Sequence, residues 1–196
     1  MIVRDLLVEP KRFTDLHRGL ARIPTNILTA RLKELEEAGV VQRRIQPRPA
    51  AGVVYELTPY GRELEGVVVA LGRWGAKNLG NPREGEIVTA DSLVTALRTT
   101  FVPQAARGVS ATYELRLGDI IINAQIEDGR LVVNSGPAEK PDLIVETGPA
   151  LRALFAGDLT PGEALQSGAV HINGDAGLFP AFASMFRIEP MPSTPA

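Results

Sequence analysis

The chain has 196 residues, 44% of them hydrophobic, and a formal net charge of −2, a composition typical of a globular protein with one large or two small domains. It has no cysteine, which excludes disulfides, thiolate metal sites and thiol redox sensing. No apolar run approaches the roughly 18–20 residues of a membrane span, the N-terminus has no secretory-signal pattern, and His17 and His171 lack the carboxylate spacing of a metal site.

Residues 2–8 read as a helix stopped before Pro10, and residues 14–19 as a second short helix. Pro24 disfavours helical backbone at Ile23, and Thr25 is expected to cap a helix over 26–38. Its apolar positions Leu28, Leu32 and Leu35 share one face, and Gly39 ends it. Residues 40–45 and 53–57 read as strands joined by a Pro- and Gly-containing loop. Thr58 and Pro59 then start a longer helix striped by Leu64, Val67, Val68, Leu71 and Trp74. Further on, a helix is expected over 90–101, then strands over 111–117, 119–127, 130–134 and 142–146, with Asp128-Gly129 as a hairpin signal. Helices over 148–156, 161–166 and 176–186 and a strand over 169–172 complete an α+β pattern.

Gly and Pro punctuate residues 80–85. The expected division is a first domain over 1–80, a linker over 81–87, a second domain over 88–190 and a flexible tail over 191–196. Charge follows the same division. Residues 1–80 carry 13 Lys/Arg against 9 Asp/Glu, a net of +4, whereas residues 81–196 carry 8 against 14, a net of −6. A basic part joined to an acidic part suggests that the first meets phosphate.

Two short helices, a turn and a basic two-stranded wing form a winged helix-turn-helix, which puts one helix into a DNA major groove. Asn26, Ala30, Lys33 and Glu37 lie opposite the leucine stripe, with Thr29 on the flank. Asn suits adenine, Thr a thymine methyl, and Lys guanine or phosphate. Arg31 lies nearer the core side, to touch phosphate or pair with Asp15. Arg43, Arg44 and Arg48 lie on the wing, Arg48 between two prolines and suited to a minor groove. Lys11, Arg12 and Arg18 are placed to clamp phosphates from the other side. The candidate DNA-binding set is therefore Lys11, Arg12, Arg18, Thr25, Asn26, Thr29, Arg31, Lys33, Arg43, Arg44 and Arg48. In the second domain, Phe101, Phe155, Phe179, Phe182, Met185 and Phe186 are candidates to line an apolar ligand pocket, with an ordinary core as the competing reading. His171 and Asp175 have no accompanying Ser or Cys nucleophile motif, and Asp119, Asp128 and Asp158 fall at turns. No catalytic role and no cofactor is assigned.

Arg12-Phe13-Thr14-Asp15-Leu16, the run LTARLKELEEAGVV over 28–41, Val54-Tyr55-Glu56-Leu57-Thr58, Gly61-Arg62-Glu63-Leu64 and Leu71-Gly72-Arg73-Trp74 together resemble the HxlR-type winged-helix transcriptional regulators, relatives of the MarR regulators. The resemblance covers about residues 2–75. It implies a homodimer on pseudo-palindromic double-stranded DNA, with the helix carrying Leu64, Val67, Val68, Leu71 and Trp74 helping to form the dimer. It also implies a further helix ahead of Ile2, often with a cysteine, where this sequence starts inside the pattern. Leu131-Val132-Val133, Pro141-Asp142-Leu143-Ile144-Val145, Leu154-Phe155-Ala156-Gly157-Asp158-Leu159, Ala164-Leu165-Gln166-Ser167-Gly168 and Ile172-Asn173-Gly174-Asp175 resemble a sterol-carrier-protein-like domain. That implies an open sheet covered by helices around an apolar cavity. The expectation is a cytoplasmic, nucleoid-associated transcriptional regulator whose operator affinity responds to a hydrophobic small molecule. The alternative is a lipid or metabolite carrier that uses the winged helix only to dimerise.

Overall fold

The computed structural model describes residues 1–20, 22–47, 51–77 and 88–189. The chain divides into two compact units, Met1–Val69 and Ala70–Ala196. Among the described residues no helix is long and apolar enough to cross a membrane.

The first unit contains helices α1 (Ile2–Val8), α2 (Phe13–Gly19) and α3 (Thr25–Glu37). The antiparallel pair β1 (Val41–Gln46) and β2 (Gly52–Leu57) follows. Ile2, Leu6, Leu16, Leu20, Leu28, Leu32, Val41 and Leu57 form its core. Each helix is too short to be stable alone and is held by burying one apolar face. Thr25 is not the cap of α3 but its first residue. Pro24, with φ −57° and ψ 145°, occupies the cap position and offers no side-chain bond. Proline fixes the φ required at this point, so no hydroxyl is needed to start the turn.

The long helix expected after Thr58 is broken. α4 (Pro59–Arg62) and α5 (Glu65–Ala76) are separate elements. The Thr58 hydroxyl donates to the Gly39 carbonyl at 2.6 Å and accepts from the Gly61 amide at 3.0 Å. Gly61 lies so close to the Val40 carbonyl that a Cβ there would sit 2.1 Å from its oxygen. The first turn is thereby pinned to the start of β1. Glu63 and Leu64 then make i−3 bonds to Tyr60 and Gly61, so the helix tightens and restarts. The boundary between units falls inside α5, at Val69/Ala70, and not at the Gly/Pro punctuation. Arg73 donates to the Thr99 carbonyl at 3.0 Å and Lys77 pairs with Glu189 at 2.9 Å, which ties the end of α5 to the second unit. The expected linker over 81–87 and the tail over 191–196 lie outside the described residues.

The second unit is built on α6 (Ala90–Thr100), β3 (Ser110–Leu117), β4 (Ile120–Glu127), β5 (Arg130–Ser135) and β6 (Leu143–Thr147). α7 (Ala150–Ala156), α8 (Pro161–Gln166), β7 (Val170–Gly174) and α9 (Leu178–Ser184) complete it. The sheet order is β5-β4-β3-β6-β7. β3 and β6 run parallel and the other neighbours antiparallel. The fold is therefore α+β, an open sheet with helices. Asp128 (φ 42°) and Gly129 (φ 80°) make the two-residue β4–β5 turn, the left-handed pair that a hairpin's twist selects.

Alternation sets the two faces of this sheet. Tyr113, Leu115, Ile122, Ala124, Val133, Leu143 and Val145 are fully buried on one face. They pack with the apolar stripes of the helices, including Val94 and Leu97 of α6 and Phe179 and Phe182 of α9. The other face carries Thr112, Glu114 and Arg116 with Asn123 and Gln125. The segment between β5 and β6 crosses that face. Asn123 donates to the Gly136 carbonyl at 3.1 Å, and the Ala138 amide donates to Glu114 at 2.9 Å.

Candidate functional site

α3 presents the polar face the sequence implies. Leu28 and Leu32 are buried, while Thr25, Asn26, Ile27, Thr29, Ala30, Arg31 and Lys33 are exposed. Thr25 Oγ1 lies 3.4 Å from His17 Nε2, and Thr29 donates to the Thr25 carbonyl at 2.9 Å. Asn26 and Lys33 thus share one open surface with Thr29 between them.

The cations around this surface are engaged by carboxylates. Arg31 does not reach Asp15; it is 64% exposed and pairs with Glu34 at 2.6 Å, the neighbour one helical turn along. Asp15 is taken by Arg18 at 3.5 Å. Lys33 pairs with Glu37 at 3.6 Å. Arg43 makes two bonds to Glu36, Nε to Oε1 at 2.6 Å and Nη2 to Oε2 at 2.8 Å, which hold its guanidinium above its ordinary value. Arg44 bonds Glu56 at 2.8 Å. The hydrogen bond from Gln42, followed by that from Arg44, holds the Glu56 carboxyl below its usual range.

Two residues expected to clamp phosphate are placed differently. Lys11 is 8% exposed, its backbone pairs with Tyr55 and its ammonium bonds Glu9 at 3.0 Å; short backbone pairing at the start of α2 draws it inward. Arg12 is exposed and donates to the Ala51 carbonyl at 3.2 Å. Arg48 lies outside the described residues. Glu36 and Glu56, which set the positions of the wing arginines, were not candidates from sequence. Glu36 stands between Glu34 and Glu37, and the sequence alone does not say which of the three meets a wing arginine.

On α5, Val67, Leu71 and Trp74 are 64%, 62% and 73% exposed, and Leu64 and Val68 are half-buried. Spacings of four and three put the three exposed side chains on one helical face.

In the second unit four of the six apolar candidates, Phe101, Phe155, Phe182 and Phe186, come together. Ring centroids are 5.0 Å apart for Phe155–Phe186 and Phe182–Phe186, 5.6 Å for Phe101–Phe186 and 6.0 Å for Phe155–Phe182. Phe179 and Met185 are fully buried. Tyr113, absent from the candidates although its strand's alternation points it inward, meets Phe182 with ring centroids 5.1 Å apart and the rings tilted by 43°. Its hydroxyl is buried with no hydrogen-bond partner. Burial, reinforced by the Asp142 and Asp175 carboxylates, pushes the phenol up to about 12. An open cleft of about 780 Å³ lies on the opposite sheet face, lined by Thr112, Gln125, Glu127, Arg130, Val132 and Asp142 among others, and it touches none of the six. Among the described residues no group of three or more His, Asp or Glu could hold a metal ion.

The HxlR-like helix-turn-helix family model matches residues 1–83. An uncharacterized HTH-type transcriptional regulator of Bacillus subtilis, YtcD, is 41% identical over 69 residues, 35% of this chain and 55% of that protein, so the chain spans about half its length. An uncharacterized HTH-type transcriptional regulator of Halalkalibacterium halodurans is 37% identical over 83 residues, 41% of this chain and 74% of the relative. A solved sec-alkylsulfatase, Pisa1 from Pseudomonas sp., aligns with 51% of this chain and 16% of its own at 23% identity and a TM-score of 0.46, too distant to carry a functional inference. The ordered helices and wing, the family match and these identities together make this chain a member of the HxlR-like helix-turn-helix family.

Proposed function

We propose that the protein is a dimeric transcriptional regulator that binds duplex DNA through α3 and the β1–β2 wing, its operator affinity modulated by a hydrophobic small molecule in the second unit. The observation that carries this reading is the exposed row Asn26, Thr29, Ala30 and Lys33 on the side of α3 away from buried Leu28 and Leu32, followed directly by a wing bearing Arg43 and Arg44. A helix so presented fits a major groove, and a wing so placed reaches the neighbouring backbone or minor groove. Dimerisation is supported by the uncovered Val67, Leu71 and Trp74 face. The aromatic cluster of the second unit is packed ring against ring with the unpartnered Tyr113 hydroxyl as a polar group within it, and a ligand bound there has to open that packing. For that ligand to regulate, it must bind the DNA-competent and DNA-incompetent states with different affinity, for instance by changing the spacing of two recognition helices.

The test is fluorescence anisotropy with duplex DNA across a salt series. Lys33→Ala and Arg48→Ala are expected to weaken binding about 5- to 100-fold, with Arg48→Ala flattening the salt dependence. Variants that bind as well as the parent would reject these positions as the interface.

A further inference from the structure

The four cations of α3 and β1 each face a glutamate, but the pairs differ in kind. Arg31–Glu34 and Lys33–Glu37 are pairs within one helix with both side chains more than half exposed. Solvent and counter-ions compete with such pairs, so a phosphate oxygen can replace the carboxylate at little cost. Arg43–Glu36 differs. Glu36 sits in the last turn of α3 and is only 21% exposed, whereas Arg43 stands on β1. The contact is a fork of two bonds at 2.6 and 2.8 Å. The guanidinium also lies 5.8 Å from the ring centre of Tyr55, its cross-strand partner on β2. A bidentate, charge-assisted pair fixes orientation as well as distance, and an aromatic face beside it adds a second hold.

We propose that Glu36 and Arg43 are positioning residues, a brace that sets the wing against the end of α3, and that Arg43 does not itself hold phosphate. Resting on the DNA-binding reading, this divides Arg31, Lys33 and Arg43 into two kinds. Arg31 and Lys33 exchange glutamate for phosphate, and Arg43 keeps its glutamate in the complex.

The two roles predict opposite signs. If Glu36 merely masked a phosphate ligand, removing its charge would free Arg43, so Glu36→Gln would tighten binding and steepen its salt dependence. As a brace, Glu36→Gln weakens binding about fivefold at an unchanged salt slope. Arg43→Gln does the same, the double variant is no weaker than either single one, and Arg43→Lys does not rescue because an ammonium cannot form the fork. Glu34→Gln, at an exchangeable pair, tightens binding about two- to fivefold. These opposite signs are not what a general loss of stability would give. The probe is a labelled duplex of about 30 base pairs selected by the full-length protein from a random pool, long enough for two half-sites. Amide exchange across Val41–Gln46, measured without DNA, is expected to rise about fivefold in Glu36→Gln and not in Glu34→Gln. Unchanged exchange, equal or tighter binding by Glu36→Gln, or a salt slope reduced by about one in Arg43→Gln overturns the brace. Failure of the parent to select any duplex overturns the DNA-binding reading, and the exchange measurement still decides the brace.

Discussion

Replacing Tyr113 by Phe isolates one hydroxyl in the middle of the second unit. The residue is fully buried, packs its ring at a tilt against Phe182 at 5.1 Å, and its hydroxyl has no partner. An unsatisfied buried hydroxyl costs about 1–3 kcal/mol of desolvation, so Tyr113→Phe is expected to leave stability unchanged or raise it by about 1 kcal/mol at pH 8. Alkaline pH supplies a second handle. The folded phenol titrates near 12, against about 10 in an unfolded chain. Between these values the native state holds a proton that the unfolded state has released, so unfolding gains as pH rises. This contribution to stability is fully present below about pH 10 and is lost progressively toward pH 12. By pH 11 the parent is expected to lose about 1 kcal/mol through this group, a loss Tyr113→Phe does not suffer. Urea melts of parent and variant at pH 8 and pH 11 make the comparison. If Tyr113→Phe is less stable than the parent by more than about 1 kcal/mol at pH 8, the hydroxyl has a partner. If the difference does not widen at pH 11, the phenol is not desolvated as described.

Gly61→Ala drives a methyl to 2.1 Å from the Val40 oxygen, and with only backbone to yield it is expected to destabilise the first unit by about 3 kcal/mol or more in thermal melts. Thr58→Ala removes the acceptor for the Gly61 amide and the donor to Gly39; a loss of about 1–2 kcal/mol is expected in the same assay. Leu71→Asp and Trp74→Ala alter side chains that are 62% and 73% exposed. They are expected to leave the melt of the dilute protein within about 0.5 kcal/mol while shifting sedimentation equilibrium from dimer toward monomer, and an unchanged mass distribution would reject the α5 face as the interface.

Much of the fold was legible because short-range rules set it. Leu28, Leu32 and Leu35 marked α3, Asp128-Gly129 the β4–β5 turn, and alternation the strands of the second unit. Long-range contacts were not legible. The break after Arg62 depends on Gly61 meeting Val40, some twenty residues earlier in the chain, so an uninterrupted apolar stripe read as one helix. The cap of α3 went to Pro24 because a fixed φ and a capping hydroxyl are alternative ways to start a helix. For the DNA surface, residue type identified the cations, but pairing geometry decides their availability. Lys11 is drawn inward by its pairing with Tyr55, and Arg31 bonds Glu34 rather than Asp15. The phenylalanine cluster was visible from composition, whereas Tyr113, the one member with a polar group, required the strand register to bring it against Phe182.

Charge shows most clearly how placement alters meaning. Residues 1–80 have a net charge of +4, but the first compact unit ends at Val69, and residues 1–69 carry 11 Lys/Arg against 9 Asp/Glu, a net of +2. Arg73 and Lys77, counted with the basic part in the sequence, are bonded to Thr99 and Glu189 of the second unit. Each cation of α3 and β1 is matched by a glutamate. Phosphate binding that releases a condensed counter-ion from DNA must then leave a protein carboxylate to recruit one in return, which offsets part of the gain. On the DNA-binding reading, the salt dependence of operator affinity is therefore shallower than the number of basic residues at the surface implies, and discrimination falls on base-edge contacts from Asn26 and Thr29 rather than on bulk charge.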